Sequence, residues 1–217
     1  MTRRCVVTSF GPISAATRES DTAAFQARAE SFHAAGFEVI SLNRAAEIPL
    51  LAGIRSVTIK PAPEGGVFPG RFGPTIAGMM AAAPEDCDVV GIVNADLTLL
   101  RSNLVEVLDG HPDTIIAAKR VNRNAGTGHL LGVQHGGYDG FFFRPRHRTL
   151  FAGTESELQL GVPTWDHAAL LLASFDHDVR IADMPLFLHD DHVVRRSKDV
   201  NRISRQAMAC AILSALE

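Results

Sequence analysis

Residues 88–97 read DVVGIVNADL, and the apolar part of this stretch indicates the fold class. Every residue from 89 to 93 is apolar or glycine. A short apolar run without polar alternation is typical of a strand that is covered on both faces, as in a mainly parallel α/β sheet. The run stops at Asn94-Ala95-Asp96, so two polar side chains follow the carboxyl end of the predicted central strand. In open α/β sheets, ligands bind at that edge.

The side chains of Asn94 and Asp96 suit a metal ion. An amide oxygen beside a carboxylate fits a hard divalent cation, Mg²⁺ or Mn²⁺, that holds the phosphates of a substrate. Alternatively, Asp96 caps the following helix or closes a turn. The triplet alone leaves both interpretations open.

Composition limits the classes of function. The chain has 217 residues, of which 46% are hydrophobic, so we expect one core and a single domain over residues 1–217. A formal net charge of −3 gives no general attraction to nucleic acid or to an anionic membrane. The 3 cysteines have no zinc spacing and indicate no disulfide framework. Without a signal-peptide core or an apolar run of transmembrane length, the sequence predicts a cytoplasmic protein.

Strand and helix signals alternate along the chain, which predicts a parallel, doubly wound sheet. The predicted strands are Cys5–Phe10, Phe37–Leu42, Ser56–Lys60, Val89–Val93, Thr114–Ala118, Tyr138–Arg144 and Val179–Leu188. The predicted helices are Thr17–Ala35, one that begins at Pro74, Ser102–Leu108, one that Thr164 would cap, and an amphipathic C-terminal helix at Asn201–Leu216. The last of these would suit a homodimer contact.

Two long segments without periodicity connect these elements. Residues 61–74 form a Gly/Pro-rich loop, PAPEGGVFPGRFGP, in which Arg71 precedes a helix N-terminus. Such a place is a natural anion site, although surface packing of Arg71 is an equally open interpretation. Residues 119–137 match neither a dinucleotide-binding fingerprint nor a P-loop, and we interpret them as a flexible loop that closes over a ligand.

Further candidate residues lie in the second half of the chain. The stretch from His189 to His192, HDDH, concentrates metal ligands, although four consecutive polar residues are also typical of an exposed turn. Asp166 falls in the first turn of the helix that Thr164 would cap, where the helix dipole favours a carboxylate. Asp139 begins the predicted strand YDGFFFR.

Five pieces together resemble the GT-A fold of the nucleotide-diphospho-sugar transferases, in particular bacterial family-2-like glycosyltransferases and related uncharacterised GT-A-like proteins. They cover most of the chain in the order of that family: GRFGPTIAGM (70–79), VGIVNADL (90–97), YDGFFFRP (138–145), GVPTWDH (161–167) and HDDH (189–192). The resemblance implies a single-domain GT-A-like α/β fold with a mainly parallel sheet flanked by helices.

The resemblance also implies roles for residues. In such enzymes an acidic DxD-type motif follows the central strand, and its last acid binds Mn²⁺ or Mg²⁺ on the donor diphosphate. Asp96 matches that acid, whereas Asn94 stands where the first aspartate usually is. His189 or His192 would complete the metal shell, and Arg71 would bind a donor phosphate.

The same resemblance implies which residues act on the acceptor. Asp166 matches the general base of inverting members, and Asp139 would orient the acceptor. The implied activity is metal-dependent transfer of a sugar from a nucleotide-sugar to a hydroxyl of a small-molecule or glycan acceptor, without nucleic acid or a transmembrane segment.

Two other functions remain open from the sequence. One is a metal-dependent nucleotidyltransferase or phosphate hydrolase on the same sheet, although the segment FGPIS at residues 10–14 lacks the lysine of a phosphate loop. The other is a catalytically idle GT-A-like module that binds a nucleotide or a partner, which Asn94 and the small size of the chain favour.

Overall fold

The computed structural model describes residues 2–11, 13, 18–59, 73–100, 103–133, 137–152, 158–160, 164–191 and 209. The strands in this part of the chain are β1 (Arg4–Thr8), β2 (Phe37–Asn43), β3 (Arg55–Thr58), β4 (Val89–Val93), β5 (Leu97–Leu99), β6 (Ile115–Ala118), β7 (Arg120–Asn124), β8 (Leu130–Val133), β9 (Gly140–Phe143), β10 (Val179–Ile181) and β11 (Phe187–Asp191). The helices are α1 (Arg18–His33), α2 (Ile76–Ala82), α3 (Leu104–Asp109) and α4 (Trp165–Asp176), with short 3₁₀ turns at Ile48–Leu50 and Pro145–His147.

Two sheets organise the described part of the chain. The larger has seven strands in the order β10-β6-β9-β4-β1-β2-β3, and the smaller has four in the order β5-β11-β7-β8. In the larger sheet only β9 runs antiparallel to its neighbours, β4 and β6. The other pairs are parallel, which confirms the predicted α/β class with a mainly parallel sheet.

The core lies on both faces of the seven-stranded sheet, because its central strands are apolar throughout. All five residues of β4 are buried, as are all four of β9. Buried residues of α2 and α4, such as Met79 and Trp165, pack on one face. Buried residues of α1 and α3, such as Phe32 and Leu104, pack on the other. This is the arrangement of helices expected for a doubly wound sheet.

The basic segment RPRHR at residues 144–148 provides arginines that bind backbone carbonyl groups at the amino edge of the sheet. Arg148 donates hydrogen bonds to the carbonyl oxygens of Ala83, at 3.0 Å, and Pro84, just after α2. Arg144 donates to the carbonyl oxygen of Leu108 in α3. These guanidinium groups satisfy carbonyl groups at helix ends that have no partner within the helix.

Residues 119–137 differ from the prediction of a flexible loop. Most of the segment forms the hairpin of β7 and β8, which are paired antiparallel. Only β7 has a buried apolar residue, Val121, and all four residues of β8 are exposed, so the apolar alternation that signals a strand is weak.

Thr164 also differs from its predicted role. It immediately precedes α4, but its side chain makes no capping hydrogen bond. Its φ of 74° lies in the left-handed region, where a threonine is strained.

Several predicted features lie outside the described residues. They are Arg71 with most of its loop, His192, and the C-terminal helix except for Ala209. None of the helices in the described residues is both long and apolar enough to cross a membrane.

Candidate active site

The antiparallel pairing of β4 with β9 brings Asn94 and Asp139 together. Val93 lies opposite Gly140, so the residues just outside the two strands meet. The backbone N–H of Asn94 donates to the carbonyl oxygen of Asp139 at 3.0 Å. The amide Nδ2 of Asn94 donates to Asp139 Oδ1 at 3.1 Å. Arg120 in β7 forms an ion pair with the same oxygen.

The smaller sheet brings Asp96 to His189. Strand β11 lies between β5 and β7, so His189 has Leu97 on one side and Asn122 on the other. The Nε2 atom of His189 lies 3.0 Å from Asp96 Oδ2, and its Nδ1 atom lies 3.1 Å from Asn122 Oδ1. His189 is 3% exposed, so it does not belong to an exposed turn.

The contacts of Asn122 determine which nitrogen of His189 carries hydrogen. Arg120 Nε donates to Asn122 Oδ1 at 2.9 Å, so an oxygen, not the amide nitrogen, faces His189 Nδ1. Nδ1 must therefore be the donor, because a carbonyl oxygen can only accept. In a neutral imidazole, Nε2 then directs a lone pair at the Asp96 carboxylate. Two facing lone pairs require either a proton or a metal ion between them.

The Asp96–His189 pair fits a divalent cation. Two ligand atoms about 2.1 Å from an octahedral ion, at right angles, lie about 3 Å apart. This agrees with the 3.0 Å between Asp96 Oδ2 and His189 Nε2. The second oxygen, Asp96 Oδ1, is buried and has no hydrogen-bond partner among the residues that the structure describes. The residues present thus supply one carboxylate and one imidazole.

A complete protein cage is not found in the described part of the chain. No group of three or more His, Cys, Asp or Glu side chains there is arranged to hold a metal ion. Two protein ligands still fit an ion that takes its remaining ligands from substrate phosphates and water, as Mg²⁺ commonly does.

The two carboxylates of this site have pKa values shifted in opposite directions. For Asp96, burial acts to raise the pKa, but the hydrogen bond and charge of His189 and the charge of Arg120 outweigh it and lower the pKa. For Asp139, burial raises the pKa, Arg120 and Asn94 oppose the increase, and the charges of Asp96 and Asp166 add to it. Asp96 is therefore held as the anion that a cation needs.

A second cation, Arg28, reaches the site from α1. Its guanidinium donates to the carbonyl oxygen of Ala95 at 3.3 Å and lies 5.6 Å from the centre of the Phe25 ring. Burial lowers the pKa of Arg28, and the charges of Asp96 and Asp190 counteract this decrease. The group thus adds positive charge beside Asp96.

Asp166 lies at the start of α4 and contacts the strand region through Tyr138. The backbone N–H of Tyr138 donates to Asp166 Oδ2 at 2.8 Å. Asp166 Oδ1 lies 3.1 Å from Nδ1 of His167. Gly137 has a φ of 138°, which other residues rarely adopt, and a Cβ atom there would lie 2.7 Å from Asp166 Oδ2, so glycine suits this position.

The structure therefore brings together four predicted residues, Asn94, Asp96, Asp139 and His189. Asp166 joins them through the segment 137–139. Sequence reasoning missed three others: Arg28, Arg120 and Asn122. Arg120 and Asn122 alternate with Val121 in RVNRN, a period-two pattern that signals a strand with a polar face. Arg28 sits in a polar helix sequence that offers no such signal.

No family model matches the sequence, and no curated protein matches it. Solved structures do match. S. aureus TarS 1–349 has a TM-score of 0.55 and 13% identity, over 98% of this chain and 66% of the TarS chain. The catalytic domain of Drosophila beta1,4-galactosyltransferase 7, solved with xylobiose, has a TM-score of 0.53 and 13% identity, over 94% of this chain and 80% of that one.

The fold is the GT-A fold. At these identities the likeness establishes the fold and not the activity. In the GT-A frame, Asp96 follows the central strand β4, at the edge of the sheet where ligands bind in open α/β proteins.

Proposed function

We propose that the protein is a metal-dependent glycosyltransferase that moves a sugar from a nucleotide-diphosphate donor to a hydroxyl of a small-molecule or glycan acceptor. The observation that carries this proposal is the contact of Asp96 with His189 at 3.0 Å, at the carboxyl edge of a GT-A sheet. The orientation of His189, which Asn122 and Arg120 fix, supports it further.

The donor side needs positive charge, because departure of a nucleoside diphosphate concentrates negative charge on its phosphates. A Mg²⁺ or Mn²⁺ ion held by Asp96 and His189 would neutralise that charge as a Lewis acid. Arg28 would add to the positive potential of the site. Arg71 and His192, which lie outside the described residues, keep their proposed roles as phosphate-binding and metal-binding groups.

The acceptor side needs a group that takes a proton from the attacking hydroxyl. Asp166 is the proposed centre of that side, and Asp139 holds the segment between the two sides through its contacts with Asn94 and Arg120. Asp139 is only 5% exposed, which favours support of the site over contact with an acceptor.

Nucleotide binding tests the proposal directly. Isothermal titration with UDP, GDP, CDP, ADP and dTDP, each with and without Mn²⁺, is expected to reveal Mn²⁺-dependent binding of at least one of them. Asp96→Ala is expected to weaken that binding about tenfold or more, because it removes a metal ligand. The control is Asp113→Ala, since Asp113 is exposed and pairs with Arg146 instead. A nucleotide affinity that does not depend on Mn²⁺, or that is unchanged in Asp96→Ala, would contradict the proposal.

The second candidate is a GT-A module that binds nucleotide without transferring sugar. Asn94 favours it, because at the first DxD-like position its amide Nδ2 already donates a hydrogen bond to Asp139. A panel of nucleotide-sugars separates the two. Nucleotide binding that depends on Mn²⁺, without release of nucleoside diphosphate from any nucleotide-sugar, with or without glycan acceptors, would favour the module.

A further inference from the structure

We infer that His167 is the group that takes the proton from the acceptor, and that Asp166 is the residue that positions it. This inference rests on the proposed sugar transfer and assigns the base of that same site. The family resemblance of the sequence implies instead that Asp166 itself is the base.

The exposure of the two side chains supports this division of roles. Asp166 has a side chain that is 13% exposed, whereas the His167 side chain is 52% exposed. Both oxygens of Asp166 are already engaged, Oδ2 by the N–H of Tyr138 and Oδ1 by His167 Nδ1. An incoming hydroxyl therefore meets the imidazole more readily than the carboxylate.

The contact with Asp166 also determines the tautomer of His167. A carboxylate oxygen accepts a hydrogen bond, so Nδ1 at 3.1 Å is the donor. The lone pair of the neutral ring is then on Nε2. No hydrogen-bond partner of Nε2 is found among the residues that the structure describes. Nε2 is thus directed away from Asp166 and available to a hydroxyl.

The backbone on both sides holds the pair in place. Thr164, just before α4, has the strained φ of 74°. Gly137 has a φ of 138° and lets the chain pass so close to Asp166 that a Cβ there would clash at 2.7 Å. A strained conformation such as that of Thr164 persists where the surroundings fix it, and such conformations concentrate at functional sites.

The pair also lies beside the donor side of the site. Tyr138 bonds Asp166, and the next residue, Asp139, bonds Asn94 and Arg120. The ring of Tyr138 lies 6.4 Å from the ring of His167. Lys119 Nζ lies 5.7 Å from the centre of the Tyr138 ring. An acceptor at His167 would therefore be next to an aromatic ring and a cation.

The proposed step is a direct displacement. The acceptor oxygen forms a bond to the anomeric carbon of the donor as the bond from that carbon to the diphosphate oxygen breaks. The diphosphate leaves with the electron pair, and the hydroxyl proton passes to His167 Nε2. The resulting imidazolium keeps its Nδ1–H on Asp166, whose charge stabilises it, as in other carboxylate-oriented histidine bases.

Nitrogen-15 NMR tests the pair whether or not an acceptor is known. In the wild-type protein at neutral pH, His167 is expected to be the Nδ1–H tautomer. In Asp166→Asn, the N–H of Tyr138 keeps the amide oxygen, so the amide NH₂ faces His167 Nδ1 and the tautomer is expected to switch to Nε2–H. An Nε2–H tautomer in the wild type, or no change in Asp166→Asn, would overturn the inference.

Turnover gives the second readout. Release of nucleoside diphosphate from the preferred nucleotide-sugar, with water or a glycan as acceptor, is expected to fall about 10²–10⁴-fold in His167→Gln. Nucleoside diphosphate affinity is expected to stay within about twofold, which a loss of structure would not allow. His129→Gln is the control, because His129 is exposed on the β7–β8 hairpin.

The two proposals fail separately. A wild-type protein that binds no nucleotide in the presence of Mn²⁺ refutes sugar transfer, and the tautomer measurement still decides whether Asp166 orients His167. A protein that transfers sugar equally well as wild type and as His167→Gln refutes His167 as the base and leaves the transferase proposal intact.

Discussion

Asn122 shows how a residue outside the Asp96–His189 pair can fix the orientation of one of its members. Its oxygen accepts from Arg120 on one side and from His189 on the other. This arrangement leaves Nε2 of His189 to face Asp96. Such partners of metal ligands orient the ligand and fix its tautomer. The polar face of β7 is therefore part of the candidate site, although it holds none of the predicted ligands.

We expect the loss of Arg120 to destabilise the protein, because Arg120 belongs to a buried ion pair. It is paired with Asp139, and their side chains are only 18% and 7% exposed. Arg120→Met would leave a buried carboxylate without its cation. The expected loss in the free energy of unfolding is about 3 kcal/mol, measured by urea denaturation.

The neighbouring Arg123 provides the matched control. It also lies in β7 and pairs with Asp190, but both side chains are about two-fifths exposed, at 38% and 40%. Arg123→Met is therefore expected to cost less than about 1 kcal/mol. In the Arg120→Met background, Asp139→Asn should recover part of the stability, since a neutral amide needs no cation. Equal losses for the two arginines would show that the Arg120 pair is not a buried one in solution.

The strands and helices were predictable to different degrees. Strands β2, β4 and β6 are buried runs rich in β-branched and other apolar residues, and the sequence located each within a few residues. The β7–β8 hairpin was not predicted, because the pairing of β7 with β11 is a tertiary contact and LLGV in β8 is exposed and shows no alternation of apolar and polar residues. Asp96 and His189 were recognisable by residue type, whereas the roles of Asn122 and Arg28 depend on neighbours far apart in sequence.

The 3₁₀ turn at Pro145–His147 gives a pH-dependent stability. His147 is fully buried, and burial, followed by the charges of His177, Arg146 and Arg144, lowers its pKa to about 4. Between about pH 6.5 and pH 4, the unfolded chain binds a proton at this position and the folded protein does not. The contribution of neutral His147 to stability is therefore fully present above about pH 6.5 and is lost as the pH falls towards 4.

His147→Gln is expected to remove this dependence. Between pH 7 and pH 4.5 the wild type should lose about 2 kcal/mol of unfolding free energy through His147, and the variant should lose correspondingly less. Urea denaturation at the two pH values measures the difference. His129→Gln, at an exposed position, should keep the wild-type pH dependence. An identical pH dependence in His147→Gln and wild type would contradict the assignment.

The molecule as a whole depends on the close packing around β4, whose two faces meet different helices. On the α1 side, Gly91 leaves room for the ring of Phe142 from β9. A Cβ at Gly91 would lie 2.7 Å from Phe142 Cε1 and 3.1 Å from Val6 Cγ2. Gly91→Ala is thus expected to lower the free energy of unfolding by about 1–3 kcal/mol through overpacking.

The comparison for Gly91 is a glycine with open surroundings. At Gly126, in the β7–β8 turn, the nearest atom to an added Cβ is Asn124 Oδ1 at 3.4 Å, an ordinary contact. Gly126→Ala is expected to change stability by less than about 0.5 kcal/mol. Thermal or urea unfolding of both variants provides the test. A Gly91→Ala protein as stable as Gly126→Ala would mean that β4 tolerates a wider spacing from the side chains of Phe142 and Val6.

Residues 137–139 connect the two halves of the candidate site. Asp139 is bonded to Asn94 and Arg120, and the adjacent Tyr138 is bonded to Asp166. A ligand that orders one end of this short segment also lowers the entropy that the other end must lose when its own ligand binds. Coupling between two sites is reciprocal. Whatever factor a bound nucleotide adds to the affinity for the acceptor, the acceptor must add to the affinity for the nucleotide, so a change that breaks these contacts would lower both factors equally.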